Sequence, residues 1–197
     1  MYPIEYFTVD NAGIVLNEGE LRRRLCVSGS FDVSEFDTVL RKVGDSVQAK
    51  CCFTRVPVQV LSDCGVDLGF AKVRSANLAK NLSGCNEAFV FAVTLGHGVE
   101  RLLSGLCRIS PADFFIADAV SSAIAESVCD IAEERIKGGL LCKSRFSPGY
   151  GDFDISVQRS VLDVLNAEKL LGITLTDGVL MLPQKSITAV LGIVKNQ

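Results

Sequence analysis

Residues 145–152 read Arg145-Phe146-Ser147-Pro148-Gly149-Tyr150-Gly151-Asp152 and separate two helical patterns. Pro148 and Gly149 predict a β-turn, because proline presets φ at about −65° and glycine supplies a positive φ. Arg145, before the turn, can grip a carboxylate through two hydrogen bonds, and Tyr150, after it, offers a flat face and a hydroxyl. The glycine after the tyrosine allows a ligand to approach the backbone closely. The stretch fits either a cradle for a small, zwitterionic, ring-bearing ligand or an ordinary helix-to-helix loop.

A long helix is predicted before this stretch. Ser110-Pro111-Ala112-Asp113 combines a capping serine, a proline at the first helical position and an acid in the first turn, which is typical of a helix N-terminus. Apolar residues at helical spacing continue to Lys137, and Glu126 lies well inside the helix. Its carboxylate is either simply exposed or pairs with a ligand ammonium group. A second helix, Ile155–Leu171, is predicted after the stretch.

The remaining patterns predict a sheet with helices. Ala88–Val93 is a continuous apolar run, as expected of a central strand buried on both faces. Cys52–Leu61 is rich in β-branched residues around Pro57 and is predicted as an edge strand, because proline lacks a backbone donor. Further strands are predicted over residues 1–9, Val66–Val73, Leu175–Leu182 and Ser186–Val194, and shorter helices over Gly19–Cys26, Val33–Ala49 with Ser34 as a cap, Ala76–Leu82 capped by Ser75, and Val99–Cys107. Together they predict an α+β fold, a twisted, mostly antiparallel sheet with long helices packed across it.

The bulk composition limits the classes of function. A chain of 197 residues, 48% hydrophobic and 22% charged, is predicted to form a single domain over residues 1–197. The net charge of −3 offers no basic footprint for nucleic acid. We expect no membrane partner, because no apolar run has the length of a membrane span. The N-terminus lacks the pattern of a signal peptide, so the protein is predicted to be cytoplasmic.

The eight cysteines are predicted to be buried free thiols. They form no CxxC pair, and His97 is the only histidine, so a zinc site has few ligands to draw on. Reduced cysteines often serve as small core residues in the cytosol. A metal cluster is the alternative, and no metal site is predicted.

Two further motifs each allow two interpretations. Thr94-Leu95-Gly96-His97-Gly98 follows a strand and precedes a helix, where backbone N–H groups can bind anions. It lacks the third glycine of a dinucleotide fingerprint, so we interpret it as a turn, with His97 as a turn or capping residue and a general base as the alternative. Arg22-Arg23-Arg24 is interpreted as a solvated helix face, with a docking patch for an acidic partner as the alternative.

The segment Arg145–Tyr150 resembles the RxxxGY signature of the activation domain of cobalamin-dependent methionine synthase. The resemblance continues through Leu162–Thr176, Met181-Leu182-Pro183 and Ser186-Ile187. It is best over residues 142–193. Residues 71–197 resemble the core of that domain, whereas residues 1–70 match only loosely.

The resemblance implies a role in reactivation. The family domain binds S-adenosylmethionine and docks on the cobalamin-binding module of methionine synthase, and a related corrinoid protein is the alternative partner. Oxidised cobalamin there receives an electron from a flavoprotein and a methyl group from S-adenosylmethionine. The chain is thus expected to be an accessory part of a methyltransferase rather than an enzyme alone. It needs no catalytic residue of its own, because cobalt is the nucleophile.

The resemblance also implies the ligand contacts. Arg145 would hold the methionine carboxylate, the backbone of Ser147 and Gly149 would face the adenine or ribose, and Tyr150 would pack on the ligand. Glu126 would bind the ammonium group. A guanidinium suits the carboxylate of this ligand, and a carboxylate suits its ammonium group. An aromatic face suits its sulfonium or its purine.

Some positions depart from the family pattern. Ser122, one turn before Glu126, takes the place of the acid in another helix register. Gly151-Asp152-Phe153-Asp154 replaces a turn containing proline and cysteine, and the family's closing aromatic stretch has no counterpart after Val194. Two other functions therefore stay open. One is a ligand-independent interaction protein for a corrinoid protein. The other is a free-standing S-adenosylmethionine-dependent methyltransferase. The absence of a GxGxxG fingerprint and of an evident general base argues against this second function.

Overall fold

The computed structural model describes residues 2–16, 18–25 and 36–195. Its strands are β1 (Ile4–Thr8), β2 (Lys50–Pro57), β3 (Gln59–Val60), β4 (Gly65–Asp67), β5 (Lys72–Arg74), β6 (Cys85–Thr94), β7 (Thr174–Leu175), β8 (Met181–Leu182) and β9 (Ser186–Val194). Its α-helices are α1 (Glu18–Leu25), α2 (Asp37–Ser46), α3 (Ala76–Asn81), α4 (His97–Ile109), α5 (Pro111–Lys137), α6 (Gln158–Val164) and α7 (Ala167–Leu171).

The main sheet has four antiparallel strands in the order β1-β2-β6-β9. In its register, Phe53 of β2 lies opposite Phe91 of β6, which lies opposite Ala189 of β9. Strands β3, β4 and β5 form a separate small sheet, and β7 pairs with β8. Helices cover both faces of the main sheet. This architecture confirms the predicted α+β class.

Alternating side chains build a core on each face of the sheet. Phe89 and Phe91 of β6 enter the core shared with α1, α2, α4 and α5. Val90 and Ala92 enter the core shared with α3, α6 and α7. Successive strand side chains point to opposite faces, so a strand covered on both sides is apolar throughout. The prediction of a central strand at Ala88–Val93 is confirmed.

The outer edge of β9 is covered by an extended segment, residues 142–146. Cys142 bridges Ile193, and Phe146 bridges Val190. The bridges are four residues apart on the segment and three apart on β9, so the segment carries one extra residue, as in a β-bulge. As a result Arg145 contacts α5, whereas Phe146 packs into the core on the opposite face.

The long helix and the last strand form where they are predicted. The Ser110 hydroxyl caps α5 by accepting from the Asp113 N–H at 3.4 Å, and Gly138 ends the helix in a left-handed conformation. Strand β9 has the predicted bounds. Ser75 caps α3 as predicted, accepting from Leu78 N at 3.0 Å.

The prediction of an edge strand over Cys52–Leu61 is wrong. Strand β2 lies between β1 and β6, inside the sheet. Pro57 is its last residue, where a missing N–H does not interrupt the ladder. The proline therefore marks the end of a strand rather than an exposed edge.

Two predicted single strands are hairpins. Val66–Val73 divides into β4 and β5, and the turn uses Gly69 with φ +76. Leu175–Leu182 divides into β7 and β8, and Thr176 N donates to Leu180 O at 2.9 Å across the turn. An Asp-Gly pair at positions 177 and 178 favours this reversal.

The predicted helix Ile155–Leu171 is broken into a 3₁₀ turn over Ile155–Val157 followed by α6 and α7. The break lies at Asn166, which is left-handed with φ 49. Asparagine tolerates this conformation better than most residues. The change of direction allows Leu165 and Ala167 both to be fully buried.

Other helix bounds differ slightly from the predictions. The predicted helix Val33–Ala49 is shorter, because α2 begins at Asp37 and ends at Ser46. Its predicted cap, Ser34, lies outside the described residues. Among the residues that the structure describes, no helix combines the length and apolar character needed to cross a membrane.

Candidate functional site

The predicted turn forms between the extended segment and the 3₁₀ turn that precedes α6. Ser147 O accepts from Tyr150 N at 3.1 Å, which closes a four-residue turn. Gly149 has φ +87, the positive value required at the third position of a type II turn. Gly149 N also donates to Phe153 O at 2.7 Å. The turn is thus closed by a hydrogen bond within it and joined to the following loop by a second hydrogen bond.

Arg145 contacts three carboxylates of α5. Its guanidinium nitrogens lie 2.6 Å from Asp130, 2.9 Å from Glu133 and 3.1 Å from Glu126. These acids are spaced four and three residues apart, so they share one helix face. Of them, only Glu126 was singled out in the sequence, although the spacing of the other two is the signal that would have revealed them.

The three acids differ strongly in exposure. The side chain of Glu133 is 12% exposed, whereas those of Glu126 and Asp130 are 43% and 66% exposed. Glu133 also accepts from Lys137 at 2.7 Å. Burial favours a higher pKa for Glu133, but the hydrogen bonds from Lys137 and Arg145 outweigh it and hold the pKa below its ordinary value of 4.5. Glu133 is therefore a structural anchor for Arg145, and the other two acids are accessible.

Arg145 and Glu126 line one cleft of about 520 Å³ between α1 and α5. Glu20 and Asp130 line it as well, so carboxylates outnumber guanidinium groups on its wall. Arg24 approaches Glu126 at 4.0 Å. A cleft with a guanidinium beside several carboxylates offers partners to both ends of an α-amino acid.

Ser147 and Tyr150 line other clefts. Ser147 borders a groove of about 450 Å³ with Gln158 and Thr188. Tyr150 borders a cleft of about 740 Å³ with Phe146. The structure thus brings Arg145 and Glu126 together but places Ser147 and Tyr150 elsewhere, because the chain turns from one face of the sheet to the other after Arg145.

In the alternative helix register Ser122 takes the place of the acid, but Ser122 does not line this cleft. Ser122 donates to Asp118 O at 2.9 Å and accepts from Lys185 Nζ at 2.8 Å. Lys185 also pairs with Asp118 at 2.7 Å. It is Glu126 that lies beside Arg145.

The sequence Gly151-Asp152, which departs from the family pattern after Tyr150, has a structural role. Asp152 accepts from Ala76 N at 2.7 Å and from Asn77 N at 3.2 Å, at the start of α3. The hydrogen bond from Ser75, together with these amides, holds the pKa of Asp152 below its ordinary value. A Cβ at Gly151, with φ +59, would lie 2.6 Å from Asn77 Nδ2. The loop after Tyr150 is therefore fastened to α3.

The glycines around His97 serve packing. A Cβ at Gly98 would lie 2.3 Å from Ser46 O, and Gly96 has φ +83 beside Gln48. His97 is the first residue of α4, and its Nε2 lies 3.2 Å from Gly172 O. The interpretation of His97 as a turn or capping residue is therefore wrong: Gly96 is the cap of α4, and the His97 ring contacts the residue that ends α7.

The described cysteines are free thiols, and four of them, Cys51, Cys52, Cys85 and Cys129, are buried. Cys64 and Cys107 are exposed, so the prediction of burial is wrong for these two, and Cys142 is half-buried. Cys26 lies outside the described residues. Burial raises the pKa of Cys129 to about 12. Within the described ranges, no group of three or more histidine, cysteine or acidic residues is arranged to hold a metal ion.

Fold and cleft together define an α+β domain with a charged, ligand-sized cleft beside a covered sheet edge. No protein-family model and no curated protein matches the sequence. Among solved structures, the fold is similar to the crystal structure of the MetH reactivation domain bound to AdoHcy, with a TM-score of 0.73. The two chains share 14% identity, and the match covers 100% of this chain and 80% of the other. The likeness is therefore one of fold.

Proposed function

We propose that the chain is an S-adenosylmethionine-binding reactivation module. It supports reductive methylation of oxidised cobalamin on a methionine synthase that lacks its own activation domain, or on a related corrinoid protein. The observation that carries this proposal is the fold likeness, along the whole chain, to a reactivation domain bound to AdoHcy. AdoHcy is what S-adenosylmethionine becomes when its methyl group is donated, so a site for one suits the other.

The Arg145 cleft fits the amino-acid end of this ligand. Asp130 is the most exposed of the three acids around Arg145, so a ligand carboxylate replaces it at lowest cost. Glu133, buried and bound by Lys137, keeps the guanidinium in place. Glu126 and the released Asp130 then bind the ammonium group.

The remaining contacts that the resemblance implies belong to the same proposal. Ser147 and Gly149 are the proposed contacts of the adenine or ribose and Tyr150 the proposed packing surface, and Ser147 and Tyr150 border clefts other than the one at Arg145. When bound to the partner and reduced, cobalamin supplies the nucleophile, and a flavoprotein is the proposed electron donor. The chain itself binds and orients the methyl donor.

Calorimetric titration of S-adenosylmethionine and AdoHcy tests the ligand site. We expect the wild type to bind and Arg145→Ala to bind roughly ten- to a hundredfold more weakly, because a charge-assisted hydrogen bond contributes about 1.5–3 kcal/mol. Arg101→Ala, on the exposed side of α4, is the matched control and should bind like the wild type. Arg145→Lys keeps the charge but loses the guanidinium that can form two parallel hydrogen bonds. Its affinity should lie between those of the wild type and Arg145→Ala. Circular dichroism checks that each variant is folded.

Reconstitution tests the role. The chain is added to an oxidised synthase truncated before its activation domain, with reductant and S-adenosylmethionine present. Recovery of turnover that depends on the chain and on the ligand supports the proposal. Absence of both binding and recovery contradicts it.

A ligand-independent accessory protein is the second candidate. It is favoured by one observation, the pairing of Arg145 with three carboxylates, which occupies both terminal nitrogens of its guanidinium. In this case the chain binds the cobalamin-binding module with the same affinity with and without S-adenosylmethionine. A titration of the two proteins in both conditions separates the candidates.

A further inference from the structure

Strand β1 lies at an open edge of the main sheet. The strand order β1-β2-β6-β9 places β1 and β9 at the two edges, and the extended segment 142–146 covers β9. Among the residues that the structure describes, no strand or loop forms backbone hydrogen bonds with the outer side of β1. An open edge presents unpaired N–H and C=O groups, which readily pair with another strand.

The hydrogen-bond pattern shows which backbone groups of β1 point outward. Val9 N donates to Ala49 O at 3.0 Å, so Val9 is paired with the β2 side of the ladder. Hydrogen-bonded pairs alternate along an antiparallel ladder, and Phe7 and Glu5 therefore also direct their backbone groups toward β2. The residues whose N–H and C=O groups point outward are Ile4, Tyr6 and Thr8.

Two opposite charges lie beside this edge without an ionic partner. The Arg135 guanidinium of α5 lies over the Phe7 ring, 4.0 Å from its centroid. Glu5 is on the same face of β1 as Phe7, because side chains two residues apart on a strand share a face. Both Arg135 and Glu5 are exposed. Within the described ranges, neither of them forms an ion pair.

We propose that β1 pairs with β1 of a second copy of this chain, antiparallel and about a twofold axis at Tyr6. In this register Tyr6 faces Tyr6 of the second copy, and Ile4 faces Thr8. Each of these pairs exchanges two hydrogen bonds, so two four-stranded sheets become one continuous sheet. The Tyr6 side chain, 55% exposed in the single chain, packs on its equivalent across the axis.

Charge complementarity selects the second copy as the occupant. Glu5 of one copy lies directly opposite Phe7 of the other, on the face where Arg135 covers the Phe7 ring. The twofold axis therefore forms two Glu5–Arg135 ion pairs across the interface. A register shifted by two residues in one direction would set Glu5 against Glu5, which is unfavourable. The opposite shift would leave Ile4 without a partner in the other β1.

The proposed interface is remote from the Arg145 cleft. Arg145 belongs to the segment that covers β9, at the opposite edge of the sheet from β1. A dimer formed through β1 leaves that cleft open to a ligand. The inference therefore does not rest on the proposed function, and the two are tested separately.

Sedimentation equilibrium of the full chain from about 1 μM to about 1 mM tests the proposal. We expect a reversible monomer–dimer equilibrium in the wild type. Glu5→Lys and Arg135→Glu should each raise the dimer Kd by roughly tenfold or more, because two attractive contacts become repulsive. The double variant restores the opposite charges and should return the Kd toward that of the wild type. Asp163→Lys, which makes the same charge change at an exposed residue of α6, is the matched control.

Hydrogen exchange tests the strand and its register. The amides of Ile4, Tyr6 and Thr8 should exchange roughly tenfold more slowly in the dimer than in the dilute monomer, because they become hydrogen-bonded only across the interface. Circular dichroism checks that each variant is folded. Glu5→Lys leaves the stacking of Arg135 on Phe7 in place, so its effect is separate from the packing of that pair.

Each of the following outcomes overturns the proposal. A monomer over the whole concentration range removes the interface. A dimer whose Kd is unchanged in both charge-reversal variants uses another surface, and a species larger than a dimer contradicts the twofold axis. Slow exchange of the three outward amides in the monomer shows that another segment of the same chain covers β1. Glu5→Lys should bind S-adenosylmethionine like the wild type, so failure of the ligand titration alone bears on the proposed function and not on this edge.

Discussion

Glu133 and Asp130 contact the same guanidinium from different surroundings. The side chain of Glu133 is 12% exposed and has a second cation, Lys137, at 2.7 Å. Asp130 is 66% exposed, and among the described residues it forms an ion pair with Arg145 alone. Exposed ion pairs contribute little to stability, because water and salt screen them. Arg145 is therefore held mainly by Glu133, and Asp130 is available to exchange with a ligand.

The pH dependence of stability should distinguish these two acids. The pKa of Glu133 is below its ordinary value in the folded state, so its contribution is present above about pH 4.5 and is lost as the pH falls through the folded pKa. At pH 7 we expect Glu133→Gln to lower the free energy of unfolding by about 1–2 kcal/mol. Asp130→Asn should change it by less than about 0.5 kcal/mol.

Urea unfolding at several pH values between 7 and 3 measures both effects. The difference between the wild type and Glu133→Gln should shrink as the pH falls below about 4.5. A difference that stays constant down to pH 3 would show that Glu133 acts through packing rather than charge.

At the scale of elements, the sequence predicts best where a local signal agrees with burial. The cap Ser110, the proline after it and the glycine at 138 predict the bounds of α5. Ser186–Val194 is apolar at nearly every position and forms β9 over those residues. In the site, helical spacing predicts that Glu126 lies inside α5, but the extra residue in the extended segment is not apparent in the sequence. That residue is set by pairing with β9, a long-range contact that no local pattern reports.

The break between α6 and α7 is a case in which tertiary packing overrides the local pattern. Residues on both sides of Asn166 have helical propensity, yet Asn166 itself is left-handed. The break buries Leu165 and Ala167 on the same side of the sheet. A continuous helix would rotate one of them away from the core, since helical residues two positions apart lie about 200° apart.

Substitution of Asn166 tests this account. Asn166→Gly should leave stability within about 0.5 kcal/mol of the wild type, because glycine adopts φ near +49 without steric cost. Asn166→Ala should lower the free energy of unfolding by about 1 kcal/mol, because alanine lacks the short polar side chain whose local hydrogen bonds let asparagine adopt the left-handed region. Thermal and urea unfolding of the two variants measures the difference. Equal stability of the alanine and glycine variants would contradict a left-handed residue at this position.

At the scale of the whole molecule, the clefts that Arg145 and Tyr150 line lie on either side of one structural unit. The extended segment joins the edge of β9, Arg145 ties it to α5, and Asp152 ties the following loop to α3. Helices from both faces of the sheet thus meet at residues 142–152. A ligand that binds there contacts elements of both cores, so binding should stabilise the molecule as a whole rather than one loop.

Binding of S-adenosylmethionine should therefore raise the global free energy of unfolding. At a ligand concentration of about one hundred times Kd, a site present only in the folded state adds about 2.7 kcal/mol. The wild type should show this increase as a shift of the urea midpoint with an unchanged slope, because the surface exposed on unfolding stays the same. Arg145→Ala at the same ligand concentration should show about half of it or less, since a Kd that is at least tenfold weaker removes about 1.3 kcal/mol or more. Hydrogen exchange distinguishes the two kinds of stabilisation: slower exchange in β6 and β9 indicates the global effect, and slower exchange confined to residues 142–152 would instead show that the ligand orders only the loop.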